Sequence, residues 1–129
     1  MPLATIEVRT QYSNEQEVAI INAVHAAMIE GIKIPAWDKN IRLIVHEPHR
    51  FATPPGHGEL YTLISIDLFV GRSLNAKRAL YRAIIERLAP IGIPANEIKV
   101  LLRETTRDNF GVRGGVPASE VDFGFEVNV

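Results

Sequence analysis

In PLATIEV, residues 2–8, apolar and polar side chains alternate over most of the stretch, the pattern of a strand with one buried face. The period then changes. Ser13 is placed to cap a helix, Gln16 stands three residues on as a capping box requires, and Val18, Ile21, Val24 and Met28 follow helical spacing up to Gly31. IRLIV from Ile41 predicts a second strand. The same order returns in the second half. YTLISIDLFV predicts a strand, Ser73 a cap, Leu80, Ile84, Ile85 and Leu88 a helical stripe ending near Pro90, and IKVLL a closing strand.

Two β-α-β units side by side predict one four-stranded sheet with two helices on one face, an α/β (α+β) architecture. The expected organisation is a single domain: a first unit over 1–47, a second over 60–104, and a tail over 105–129. With strands this hydrophobic, the uncovered face is expected to meet the sheets of other subunits in a closed ring.

The duplication is also visible in the letters. IKIPAWDKNIRL at 32–43 returns as IGIPANEIKVLL at 91–102, each where a helix has ended and proline steers the chain back to the sheet. Only the first copy carries Trp37 and Asp38; the second has Asn96 and Glu97 there. The framework therefore does not itself require a tryptophan and an aspartate at that turn.

Composition narrows the chemistry. The 129 residues are 47% apolar, enough for a core, and 14 lysines and arginines against 15 acids create no global field for nucleic acid. Without cysteine there is no disulfide, thiolate zinc site or thiol nucleophile. The start lacks a secretory pattern and no apolar run approaches the roughly 18 to 20 residues of a bilayer span, so a soluble, cytoplasmic protein is expected. Between the units, HEPHRFATPPGHGE reads as a loop. Metal binding by His46, His49 and His57 is conceivable there, but no carboxylate pattern completes a site and solvated loop histidines are the simpler reading. VDFGFEV near the end alternates as a final strand, able to pair with a neighbour's sheet edge.

Four places hold candidate chemistry. Pro2 follows the initiator methionine, and removal of Met1 would present a secondary amine, a base and nucleophile, at the start of a buried strand. It could equally do no more than begin that strand. Arg72, between Gly71 and a helix start, suits a carboxylate held by guanidinium and backbone amides, or is an ordinary solvated arginine. Asp38 with Trp37 can orient water or a substrate hydroxyl, or cap a turn while Trp37 packs the core. Phe110 and Arg113 in NFGVRGG can close a pocket or fasten the tail.

Taken together, Pro2, the duplicated unit, GRS at 71–73 and the glycine-rich tail resemble the tautomerase superfamily over essentially the whole chain. Length and the IPAWD segment look most like its malonate semialdehyde decarboxylase group. The resemblance implies a homotrimer, a catalytic Pro2, Arg72 as carboxylate binder and Asp38 as the acid beside the proline. Trp37, Phe110 and Arg113 are the expected substrate-binding residues; no cofactor and no metal is expected. The decarboxylases carry two closely spaced arginines after this strand, whereas VGRSLN supplies Arg72 alone, and Phe110 stands where they carry a tryptophan. The expected function is therefore keto-enol tautomerisation of a small 2-oxo acid. Decarboxylation or hydration of a short 3-oxo acid is the alternative, and a trimeric binding module without catalysis is a third reading.

Overall fold

The computed structural model describes residues 2–129. Strand β1 (Leu3–Val8), helix α1 (Asn14–Ile32) and strand β2 (Ile41–Val45) form the first unit. Strand β3 (Thr62–Phe69), helix α2 (Leu74–Leu88) and strand β4 (Ile98–Thr105) form the second, followed by a small hairpin of β5 (Gly111–Val112) and β6 (Val116–Pro117). The sheet runs β2-β1-β3-β4, parallel within each unit and antiparallel where the units meet, with Ile6 opposite Ile64 at the centre.

Both helices begin as the sequence predicts. Ser13 Oγ accepts from the Gln16 backbone N–H while the Gln16 side chain accepts from the Ser13 N–H, and Ser73 Oγ accepts from the Ala76 N–H. Ala4, Ile6, Val8, Ile64, Ile66 and Leu68 point to one side of the sheet and form one core with Ile20, Val24 and Met28 of α1 and Leu80, Ile84 and Leu88 of α2. The stripe on α1 holds at Val24 and Met28, with Ile21 partly buried against the core, and differs at its start. Val18 is 56% exposed, and Ile20 takes the buried place instead. A run of consecutive apolar residues permits more than one helical face, and packing against the sheet selects between them.

The two helices touch backbone to backbone. A Cβ on Gly31 would stand 2.5 Å from both Cα and N of Leu80, neither of which can swing aside. Gly31→Ala is therefore expected to destabilise by about 1 to 3 kcal/mol, the usual penalty of overpacking, although alanine is the better helix former. Chemical unfolding of the two proteins measures it.

The second face of the sheet carries no helix. It is less apolar than the strand sequences imply: Ile44 and Leu101 are exposed on it, but Arg103 makes two hydrogen bonds to Asp67 at 2.8 and 3.3 Å and Arg42 donates to Thr5 Oγ1. The tail departs further from expectation. Residues 121–129 form no strand; Gly124 takes φ +77° and its N–H is capped by Asp122. The segment packs on its own chain instead, where the Ser73 N–H donates to the Val129 carbonyl at 2.9 Å. Among the described residues no helix is long and apolar enough to cross a membrane.

Candidate active site

The antiparallel contact between β1 and β3 decides which residues meet. Leu3 pairs with Asp67, so the start of β1 lies beside the end of β3, and the parallel partners carry the beginning of β2 and the end of β4 to that same end. Pro2, the Trp37–Asp38 turn, the Gly71–Ser73 turn and the segment after Thr105 are thus brought together from four separate stretches of chain. Pro2 is buried there. The Asp38 turn is fastened to β1 by the Ala4 N–H, which donates to the Asn40 carbonyl at 3.0 Å.

Arg72 is only 5% exposed. Its Nη1 donates a long bond of 3.5 Å to the Phe69 carbonyl, while Nε and Nη2 have no hydrogen-bond partner among the described residues. Burial pushes this guanidinium below its ordinary pKa; the charges of Asp38 and Glu104 oppose that shift and Arg107 adds to it. A buried cation with idle donors is costly in an isolated protein and becomes favourable when an anion fills the place. Glycine before it is required by conformation. Gly71 has φ +136°, and a Cβ there would meet Asn128 Oδ1 at 2.6 Å.

Asp38 is 6% exposed, its backbone N–H donates to the Pro35 carbonyl, and its charge acts on Arg72. Trp37 is 67% exposed and so does not pack the core; its ring meets Phe125 edge-on at 6.0 Å. From there aromatic contacts run through Phe123 and Phe69 to Phe110, the last two rings 4.7 Å apart. The sole tryptophan and four of the five phenylalanines gather at this end. Phe110 also lines a cavity of about 360 Å³ with Leu3, Asp67, Thr105, Asn109 and Gly111. Arg113 is exposed, in the left-handed region at φ 49°, over the ring of Phe123 at 5.8 Å.

Sequence reasoning missed Phe69, Phe123, Phe125 and Arg107. Phe69 is hidden in a strand whose apolar run assigns every residue to a core, Phe123 and Phe125 lie in the alternating tail that reads as a strand, and Arg107 lies in a segment without periodicity.

The opposite end of the sheet shows what became of the second copy. Glu97, the counterpart of Asp38, is 7% exposed and fully engaged: it accepts from the Gly58 N–H at 3.1 Å and pairs with His57 at 2.9 Å. His46 pairs likewise with Glu7. These loop histidines are half-buried and bound to carboxylates, not free in solvent, because the loop folds down over the sheet end. A larger cavity of about 430 Å³ lies here, yet the guanidinium of its Arg9 is already spread over the Pro48 and Gly58 carbonyls and Glu59. No group of three metal-ligating side chains occurs among the described residues.

The Gly58 N–H, then His57, hold the Glu97 carboxyl below its ordinary pKa. A depressed acid stabilises the fold fully above the ordinary glutamate range and loses that contribution as pH falls through the lowered value. Glu97→Gln should therefore flatten the acid side of the stability-against-pH curve, which unfolding measured at several pH values will show.

A family model described as tautomerase enzyme matches residues 38–113, which include Asp38, Arg72, Arg107 and Phe110. The chain belongs to the tautomerase family. Solved structures agree on the fold of this tautomerase-family chain. A malonate semialdehyde decarboxylase inhibited by 3-bromopropiolate is 29% identical, with 92% of this chain and 97% of that one covered and a TM-score of 0.77. A second malonate semialdehyde decarboxylase, described with decarboxylase and hydratase activities, is 21% identical over 87% and 92% of the chains with a TM-score of 0.80. A native fused 4-OT is 19% identical over 92% and 98% with a TM-score of 0.83.

Proposed function

We propose that this chain is a cofactor-free tautomerase interconverting the keto and enol forms of a small 2-oxo acid. The observation that carries the reading is Arg72, a buried guanidinium with two idle donors at the same sheet end as Pro2. Arg72 takes the substrate carboxylate. The amine of Pro2, freed by removal of Met1, takes the enol hydroxyl proton and returns it at C3 as the carbonyl forms. Met1 lies outside the described residues. Burial lowers the pKa of an amine and favours the neutral base at working pH. Asp38 supports the charge of Arg72 and orients a substrate hydroxyl; Trp37, Phe110 and Arg113 belong to the surroundings of the bound molecule.

Solved fused 4-OT structures include symmetric and asymmetric trimers, which supports a homotrimer here, covering the helix-free sheet face.

A second reading, decarboxylation or hydration of a short 3-oxo acid, is favoured by the 29% identity to a malonate semialdehyde decarboxylase. In it a cationic Pro2 polarises the carbonyl and Asp38 positions water. A panel of enol 2-oxo acids and 3-oxo acids tests both. Turnover of enols alone is expected; turnover of 3-oxo acids alone would replace the first reading by the second, and no turnover of either would leave a binding module.

A further inference from the structure

Arg72 is closed off. It is 5% exposed, and the cavity of about 360 Å³ at this sheet end reaches Leu3 and Phe110 without being lined by it. A carboxylate meets the idle Nε and Nη2 donors only after some part of the chain has moved. The strands and helices nearby are fixed by their ladders and by the common core, whereas residues 125–129 form neither strand nor helix.

This segment crosses between the two turns that carry the site. On one side the Phe125 ring meets Trp37, the neighbour of Asp38, edge-on at 6.0 Å. On the other the Val129 carbonyl accepts from the Ser73 N–H at 2.9 Å, and the Val127 carbonyl oxygen lies 3.3 Å from the place of a Cβ on Gly71. Between them Val127 is 3% exposed and packs with Phe69 and Ala118. The further hydrogen bonds of the segment are internal: Glu126 accepts from the backbone and the side chain of Asn128, and the Val129 N–H donates to the Val127 carbonyl. These travel with the segment when it lifts. Gly124, at φ +77° immediately before it, is the hinge. Ser73 caps the start of α2, so the Val129 carbonyl oxygen occupies an N–H beside Arg72 that a bound anion would otherwise use.

We propose that residues 125–129 are a gate over Arg72, held shut by the contact of Phe125 with Trp37 and by the chain's own carbonyl oxygen, which swings out at Gly124 to admit a carboxylate. The inference rests on Arg72 as the carboxylate binder proposed above. Because the open form alone binds, apparent affinity falls with the fraction of molecules that are open, and loosening the latch tightens binding. A side chain that lines a preformed site behaves in the opposite way, since shortening it removes contact with the ligand.

Two readouts on Phe125→Ala test the gate. The first is the rate at which phenylglyoxal, an arginine-directed reagent, modifies Arg72, followed by peptide mass spectrometry with the exposed Arg82 as internal control. The second is the affinity for pyruvate by calorimetry. Loss of the aromatic latch should speed Arg72 labelling by about tenfold, leave Arg82 unchanged, and tighten pyruvate by a similar factor. Gly124→Ala, which strains the shut form at its positive φ without removing any ring, should move both readouts the same way. Arg72 labelling at the unaltered rate in both folded variants overturns the proposal, as does weaker pyruvate binding in Phe125→Ala, which would make the segment a fixed wall. Faster Arg72 labelling in variants of a protein that binds no pyruvate would support the gate while removing Arg72 as the carboxylate binder.

Discussion

Pro2→Ala is expected to lose activity by on the order of 10² to 10⁴-fold, the range of a positioned acid–base group, while the protein remains folded. The substitution leaves a primary amine at the same place, so some proton transfer survives. A short extension that cannot be removed, placed before Pro2, converts that nitrogen to an amide and should abolish turnover altogether. Stability changes little by comparison. A residue ahead of the first strand owes no hydrogen bond to the ladder, and the ring methylenes lost from a buried position cost on the order of 1 kcal/mol. The pH profile of the unaltered enzyme separates its two roles. Activity that rises through the titration of the amine marks a base and tautomerisation; activity that falls through it marks an acid and decarboxylation or hydration. Mass spectrometry of the amino terminus belongs beside these measurements, because full activity with a blocked Pro2 would end the catalytic-proline reading.

Arg72→Met is expected to separate function from stability in the opposite sense. Losing the carboxylate partner should lower kcat/KM by about 2 to 4 kcal/mol, chiefly through KM. The fold should be unharmed or slightly more stable, since methionine keeps much of the packing and removes a buried cation whose Nε and Nη2 donors have no partner among the described residues. The lost attraction of Asp38 works against this gain and bounds it. Thermal unfolding and steady-state kinetics on the same preparation check both halves. A folded variant with unchanged kinetics would take Arg72 out of the site, and a protein that unfolds instead would show that the arginine is structural.

The two units can be read from the chain because local rules act within a few residues. Ser13 with Gln16, Ser73, and the proline of each IPA turn announce element boundaries wherever they stand. Apolar residues on a helix are less decisive: Val18 and Ile20 lie on different faces of α1, and packing into the common core places Ile20 inside and Val18 in solvent. The alternating VDFGFEV looks like a strand, yet a strand requires a partner edge, and Gly124 bends the segment onto Phe69 and Ser73 instead.

The site divides along the same line. Pro2, Asp38 and Arg72 are legible as residue types at marked positions, namely a second-residue proline, a turn that departs from its repeat, and an arginine at a helix entrance. Their burial, and the idle donors of Arg72, arise only when the central strands pair antiparallel and close one sheet end. The same holds for Phe69, Phe123, Phe125 and Arg107, which gather from β3, the tail and the turn after β4 without any shared local pattern. Sequence periodicity reports whether a residue faces inward over one or two turns of chain. Which inward-facing residues become neighbours depends on strand order and on the path of the tail, and these are set by contacts between residues tens of positions apart.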